Sequence, residues 1–372
     1  METVEIESLA EFDQVRAASA SLRGLLVQSV DLTGRDEALL SSIPLGAIFL
    51  GCALTPRVEE HLLRHGALVF PRLPDLGFDP YRPGLYSPAE LYAGLSDGYA
   101  RTLDAAVYAW TRAQHHPPGL TATLATSLHD DSIGDALDEA LDGVSPQLTV
   151  GVMGGHALLR TDATYRQAAV LGSRLTEAGR TVITGGGPGA MEAANLGAYV
   201  AGHPDVLDDA LARLAVAPTF KSPVGIDAWA LSAQQVLSVH PAGRASFGIP
   251  TWFYGHEPPN LFATHIAKYF SNALREDVLL ARCRGGLVYL PGAAGTVQEI
   301  FQAVTEVYYA TDPARLAPLV LVGREQWTVT LPAWPLLRRL AAGRAMETMI
   351  HLVDSVEEAE RVLLSPAGTR GR

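Results

Sequence analysis

Two glycine-rich turns in the second half of the chain each run into a carboxylate. The first is Gly185-Gly186-Gly187-Pro188-Gly189, followed by Ala190-Met191-Glu192. The second is Pro291-Gly292-Ala293-Ala294-Gly295-Thr296, followed by Val297-Gln298-Glu299. Glycine lets the backbone turn tightly and approach a ligand closely. The free N–H groups and the dipole at a helix start favour an anion such as phosphate. A glutamate behind such a turn is placed to stabilise positive charge, and beside a helix N-terminus it is expected to stay ionised. Neither turn matches the dinucleotide fingerprint or the phosphate-binding P-loop. A plainer role competes. Thr296 and Glu299 have the T-x-x-E spacing of a capping box, and Gly189 with Glu192 repeats that spacing with glycine at the cap.

Other candidates carry weaker signals. Lys268, Tyr269, Asn272 and Arg275 are spaced for one helical face, either a solvated face with a core tyrosine or part of the site. His156 follows Gly154-Gly155 at a strand end, and is either a ligand contact or polar loop surface. His115-His116 precede two prolines and read as loop surface. His129-Asp130-Asp131 fit no zinc or EF-hand spacing and read as a helix start. Cys283 reads as a small buried side chain rather than a nucleophile. The apolar stripe Val297, Ile300, Phe301, Val304, Tyr308 reads as core or a dimer interface.

These residues need elements to hold them. From Leu148 onward, short apolar runs alternate with helical ones. "LTVGVMGG", "RTVITGGGPG", "QQVLSVHP", "RCRGGLVYLPG" and "LAPLVLVG" read as strands. "TDATYRQAAVLGSRLTEAG", "AMEAANLGAYVAG", "TVQEIFQAVTEVYYA" and "WPLLRRLAAGRAM" read as helices. The alternation predicts an α/β, Rossmann-like parallel sheet with helices on both faces, whose ligand sits at the carboxyl ends of the strands. The first part of the chain reads as a separate α/β domain, with strands at "LRGLLVQSVDLTG" and "LGAIFLGCALT" and a helix leading into a strand at "VEEHLLRHGALVF". An irregular Pro-rich stretch follows. Next come a helix over "PAELYAGLSDGYARTLDAAVYAWTRA" and another over "SLHDDSIGDALDEALDG". No clear short-period repeat is read here. The expected division is residues 1–145, regulatory or substrate-shaping, and 146–372, nucleotide-binding.

Composition bounds the rest. The chain has 372 residues, 48% hydrophobic and 18% charged, enough for two globular domains. A net charge of −12 argues against a nucleic-acid polymer or an anionic membrane as partner, yet leaves room for a small anion. Lys221 and Lys268 are the only lysines, so arginine supplies nearly all positive charge. Two distant cysteines make no disulfide framework. The acidic start lacks a signal-peptide pattern, and no apolar run is long enough to span a bilayer. The reading is of a cytoplasmic soluble protein.

"ITGGGPGAMEAANLGA" with "LVYLPGAAGTVQE" resembles the LONELY GUY (LOG) family and its longer relatives, the nucleotide 5′-monophosphate nucleosidases, whose motifs are GGGxxGxM and PGGxGTxxE. "KYFSNALREDVLL" and "PGAAGTVQEIFQ" are similar to a long bacterial branch of that group. The likeness covers about the last 225 residues. It implies hydrolysis of the N-glycosidic bond of a nucleoside 5′-monophosphate, giving free base and ribose 5-phosphate. Oxocarbenium character on the ribose is what a carboxylate would stabilise. Carried over residue by residue, Glu299, Glu192 and Arg275 are the catalytic candidates. Gly186, Gly187, Gly189, Met191, Gly292, Ala293, Gly295, Thr296 and Asn272 are the phosphate- or nucleotide-binding candidates. No metal and no cofactor are expected: no pyridoxal-phosphate lysine stands out. The expected partners are a nucleoside monophosphate or related phosphorylated molecule and a second copy of the chain. This sequence departs from the motif at Ala293, where the second glycine of PGG would stand, and at Glu276, where a lysine would follow Arg275.

A second reading stays open. The fold serves as a non-catalytic nucleotide- or cofactor-binding module, like the molybdenum-cofactor carrier relatives. Glu192 with Glu299 favours the enzyme; Ala293 and Glu276 favour divergence. Single-stranded DNA binding is disfavoured by the acidic balance.

Overall fold

The computed structural model describes residues 4–114, 118–221, 225–253, 257–310 and 316–365; His115 and His116 lie outside these. Two compact units form, Met1–Leu85 with Arg112–Glu139, and Tyr86–Thr111 with Ala140–Arg372. Each is assembled from two stretches of chain.

The first unit alternates β1 (Val4–Ile6), α1 (Leu9–Ala18), β2 (Leu25–Gln28), α2 (Asp36–Leu40), β3 (Ile48–Leu50), α3 (Pro56–Arg64) and β4 (Leu68–Phe70). The strands lie side by side in chain order, all parallel. Gly24, Gly46 and Gly66 each precede a strand with φ of 80°, 77° and 85°, a backbone that favours glycine. Gly24 N–H donates to Gly46 O and Gly46 N–H to Gly66 O (3.3 and 3.0 Å), so the turns stack. Val27 and Phe49 follow their glycines by three residues and are fully buried with Phe12, Leu39, Val58 and Leu62. The glycine turn and the strand behind it thus recur from β2 to β4. The intervening helices have 10, 5 and 9 residues, which blurs sequence identity while the glycine and the strand keep their spacing.

The helix read from "SLHDDSIGDALDEALDG" starts earlier than expected. It is α6 (Leu120–Ala140), and His129 and Asp130 are buried within it rather than opening it. The single helix expected from Pro88 breaks into α4 (Pro88–Leu91) and α5 (Leu103–Ala113). Gly94 and Gly98 between them have φ of 89° and 101°, outside any helix.

The second unit carries a seven-stranded parallel sheet in the order β11-β10-β9-β5-β6-β7-β8. Its strands are β5 (Thr149–Met153), β6 (Thr181–Thr184), β7 (Phe247–Gly248), β8 (His265–Ile266), β9 (Gly286–Tyr289), β10 (Leu319–Val322) and β11 (Ile350–Val353). Residues of β5, β9 and β10 are buried throughout, which explains their unbroken apolar character. The connecting helices are α7 (Ala163–Glu177), α8 (Ala190–Tyr199), α9 (Pro204–Leu214), α10 (Gly225–Val239), α11 (Asn272–Arg282), α12 (Ala294–Tyr309), α13 (Ala333–Ala341) and α14 (Val356–Leu364). The expected strand at "QQVLSVHP" is instead the end of α10. Trp229, Ala230, Ala233 and Val236 are buried at helical spacing. No described helix is long and apolar enough to cross a membrane.

Chain order matters for the site. The sheet starts at β5, grows outward through β6, β7 and β8, then returns to place β9 on the other side of β5. Between β5 and β9 the loops leave in opposite directions and open a crevice at the carboxyl ends of the strands.

Candidate functional site

A cleft of about 620 Å³ occupies that crevice. Three turns form it: Gly154-Gly155-His156 after β5, the first glycine turn after β6, and Pro291–Thr296 after β9. Gly155 N–H donates to Pro291 O at 3.0 Å, and Ala190 N–H donates to Gly155 O at 3.2 Å. The two turns picked out in sequence therefore meet through a third.

The first turn ends at Gly189, the N-cap of α8, with φ 71°. A side chain there would collide with the backbone of Gly155 and His156. Gly187 and Met191 line the cleft; Gly186 and Gly189 shape the turn behind it. Two asparagines hold the turn. Thr184 Oγ1 donates to Asn195 Oδ1 (2.6 Å) and accepts from Gly186 N–H (2.9 Å). Asn260 Nδ2 donates to Gly187 O (3.2 Å) and Asn195 Oδ1 (3.0 Å). Sequence reasoning missed both residues. Asn195 lay within a motif already quoted, whereas Asn260 comes from a loop 65 residues away.

The second turn ends at Ala293, the N-cap of α12, with φ −121° and ψ −147°. Its φ is negative, outside the left-handed region that favours glycine, so alanine in place of the motif's glycine needs no glycine-only backbone. No side chain caps α12. The capping box is thereby corrected: Thr296 lies inside the first turn instead of at the cap, so its spacing to Glu299 has no capping role. Gly292, Ala293, Gly295 and Thr296 all line the cleft, and Gln326 Nε2 donates to Gly292 O at 3.0 Å.

Arg275 and Glu299 meet in the cleft, with Arg275 Nη1 3.7 Å from Glu299 Oε1. Arg275 Nη2 also lies 3.0 Å from Glu276 Oε1 and donates to Asn272 Oδ1 at 3.0 Å. Asn272 thus orients the arginine from outside the lining. Burial, then the charge of Glu276, pushes the Glu299 carboxyl up to about 8; Arg275 opposes this in part and Glu257 adds to it. The expected ionised state is corrected. Glu299 is the sixth residue of α12, beyond the first turn where the helix dipole acts. Burial likewise raises Glu276. Elsewhere on the lining His156 Nδ1 is 3.1 Å from Glu257 Oε1, and Lys221 Nζ is 3.3 Å from His156 Nε2. Sequence reasoning gave no signal for Glu257.

Glu192 is not brought to the cleft. It is fully buried beside Arg160, whose Nε lies 3.1 Å from Glu192 Oε2. Arg160 Nη1 donates to Ala217 O, Trp229 O and Ser232 Oγ (3.1, 3.1 and 2.8 Å). The pair ties the loop after β5 to α8 and α10. The single helical face expected for Lys268, Tyr269, Asn272 and Arg275 is also corrected. α11 begins after its N-cap Ser271, and Lys268 is buried ahead of it on Asp104 Oδ1 (2.5 Å). Cys283 is buried, and burial raises its thiol strongly, as expected of an inert side chain.

Residues 147–205 match the SLOG cluster4 family. The match takes in β5, α7, β6 and α8 with the first glycine turn, and stops well short of the second. No functionally curated protein matches this chain. Among solved structures, the molybdenum cofactor binding protein from Rippkaea orientalis aligns at 16% identity with a TM-score of 0.36. The molybdenum cofactor carrier protein from Chlamydomonas reinhardtii aligns at 18% with a TM-score of 0.35. Each alignment covers 58% of this chain and 94% of the other.

Proposed function

We propose that the cleft binds a phosphorylated small molecule of the nucleotide class, its phosphate on the first turn of α12. The observation that carries this reading is the uncapped N-terminus of α12, whose first-turn residues line a cavity of about 620 Å³ at the β5–β9 switch point. Backbone N–H groups and the helix dipole there suit an anion. The glycine turn held by Asn195 and Asn260 supplies a second rigid wall. Binding, as in a nucleotide or cofactor carrier, is the primary reading, because Glu192 is committed to Arg160 and only one of the two motif glutamates is left for chemistry.

A second reading, hydrolysis of a nucleoside monophosphate as in the LOG resemblance, is favoured by Glu299 beside Arg275. A carboxyl near pKa 8 holds a proton at neutral pH and suits proton delivery to a leaving base. Titration calorimetry with a panel of nucleoside monophosphates and molybdenum cofactor, with chromatography for free base, separates the two. Binding without base release supports a carrier. Base release lost in Glu299→Gln and Arg275→Ala establishes the hydrolase. Failure of every phosphorylated probe to bind overturns both.

A further inference from the structure

We infer that the ligand of this cleft is a nucleotide whose base end carries a positive charge, received by Glu276 together with Glu257 and Glu299. This rests on the phosphate end being seated as proposed above. Glu276 is only 2% exposed yet lines the cleft. Its Oε1 faces Arg275, while its Oε2 has no hydrogen-bond partner. A buried carboxylate oxygen left without a donor is costly, and a ligand donor would remove that cost.

Charge points the same way. Three carboxyl groups line the cleft, from Glu257, Glu276 and Glu299, against the one guanidinium of Arg275; burial favours the protonated form of Glu276 and Glu299, and a ligand cation beside them favours the ionised form. Arg275 is already engaged by Glu276, Glu299 and Asn272, so it is not a free cation for a phosphate. Its Nε is buried and unpartnered, which suits an acceptor beside the ligand's charge. The proposed cation is an organic one; among the described residues the one group of three or more ligands close enough to share a metal is Glu5, Glu7 and Glu139, in the other unit. The ligand is therefore bipolar, its anion at the first turn of α12 and its cation beside Glu276 and the neighbouring carboxyl groups.

Two matched pairs test this by titration calorimetry on the full chain. They are 7-methylguanosine 5′-monophosphate against GMP, and oxidised against reduced nicotinamide mononucleotide. Within each pair the phosphate and ribose are kept while the ring charge changes. Ribose 5-phosphate reports the phosphate end alone. The cationic member of at least one pair should bind about tenfold tighter, the scale of one close charge pair. Glu276→Gln should shrink that ratio to about threefold or less, and Glu276→Lys should invert it. Partial unfolding weakens both members alike, so the ratio stays readable. Equal affinities within both pairs, or a preference surviving both substitutions, overturns the inference while ribose 5-phosphate binding keeps the phosphate reading. If no probe binds, the phosphate reading fails and this inference falls with it.

Discussion

Arg160 takes Glu192 out of the cleft and makes it structural. Removing one partner of a buried ion pair leaves the other charged and unsolvated, at a cost of about 3–5 kcal/mol. Glu192→Ala should therefore lower unfolding free energy by that amount in urea titrations. A loss of ligand affinity at unchanged stability would contradict the assignment. Glu299 behaves differently. Its folded pKa, about 8, lies above the unfolded carboxylate value of 4.5. Between those values the folded chain holds a proton that the unfolded chain releases. The stability this contributes is full below the lower value and is lost as pH rises through the upper one. Glu299→Gln should flatten the decline between about pH 5 and pH 9, read as the spread in urea midpoints.

At the scale of elements, the start of α12 has two possible owners, a side-chain cap or a ligand. Ala293→Asp gives the helix its missing cap and should stabilise the protein by about 0.5–2 kcal/mol. The same carboxylate occupies first-turn N–H groups and repels an anion, so affinity for ribose 5-phosphate should fall about tenfold or more. Opposite signs in melting and calorimetry are expected; a gain in both would sink the proposed phosphate seat. In the other unit the recurring glycines do the positioning. Gly46→Ala puts a side chain at φ 77° and should cost more than about 1 kcal/mol in urea unfolding. Helix placement was legible where the apolar spacing was long, as in α7 and α12. It failed at α10, because Val236, Leu237 and Val239 look like a strand until Trp229, Ala230 and Ala233 upstream reveal the helical period.

Over the whole molecule, the two compact units are expected to unfold as separate transitions, so each urea prediction is read on the transition of the unit that holds the substituted residue. A ligand seated in the second unit should stabilise that unit by about 2.7 kcal/mol at a hundredfold excess over Kd. Hydrogen exchange should slow in β5, β6, β9 and α12, while β1 to β4 stay unchanged; uniform protection would place the ligand elsewhere. Sequence alone determined the alternation of β5, β6, β9 and β10 with their helices, because fully buried strands and amphipathic helices have local signatures. It also marked both glycine turns and Glu299, which sit in short motifs. Tertiary structure decided what neighbours decide. β7 and β8, two residues each, exist only through pairing with the sheet. Asn260 and Glu257 enter from a distant loop, and Arg160 withdraws Glu192. Ala293 proves compatible with its turn because backbone angles, not residue identity, set the strain. A motif records which residues are neighbours along the chain, while partners and protonation follow from burial and charges brought together through space.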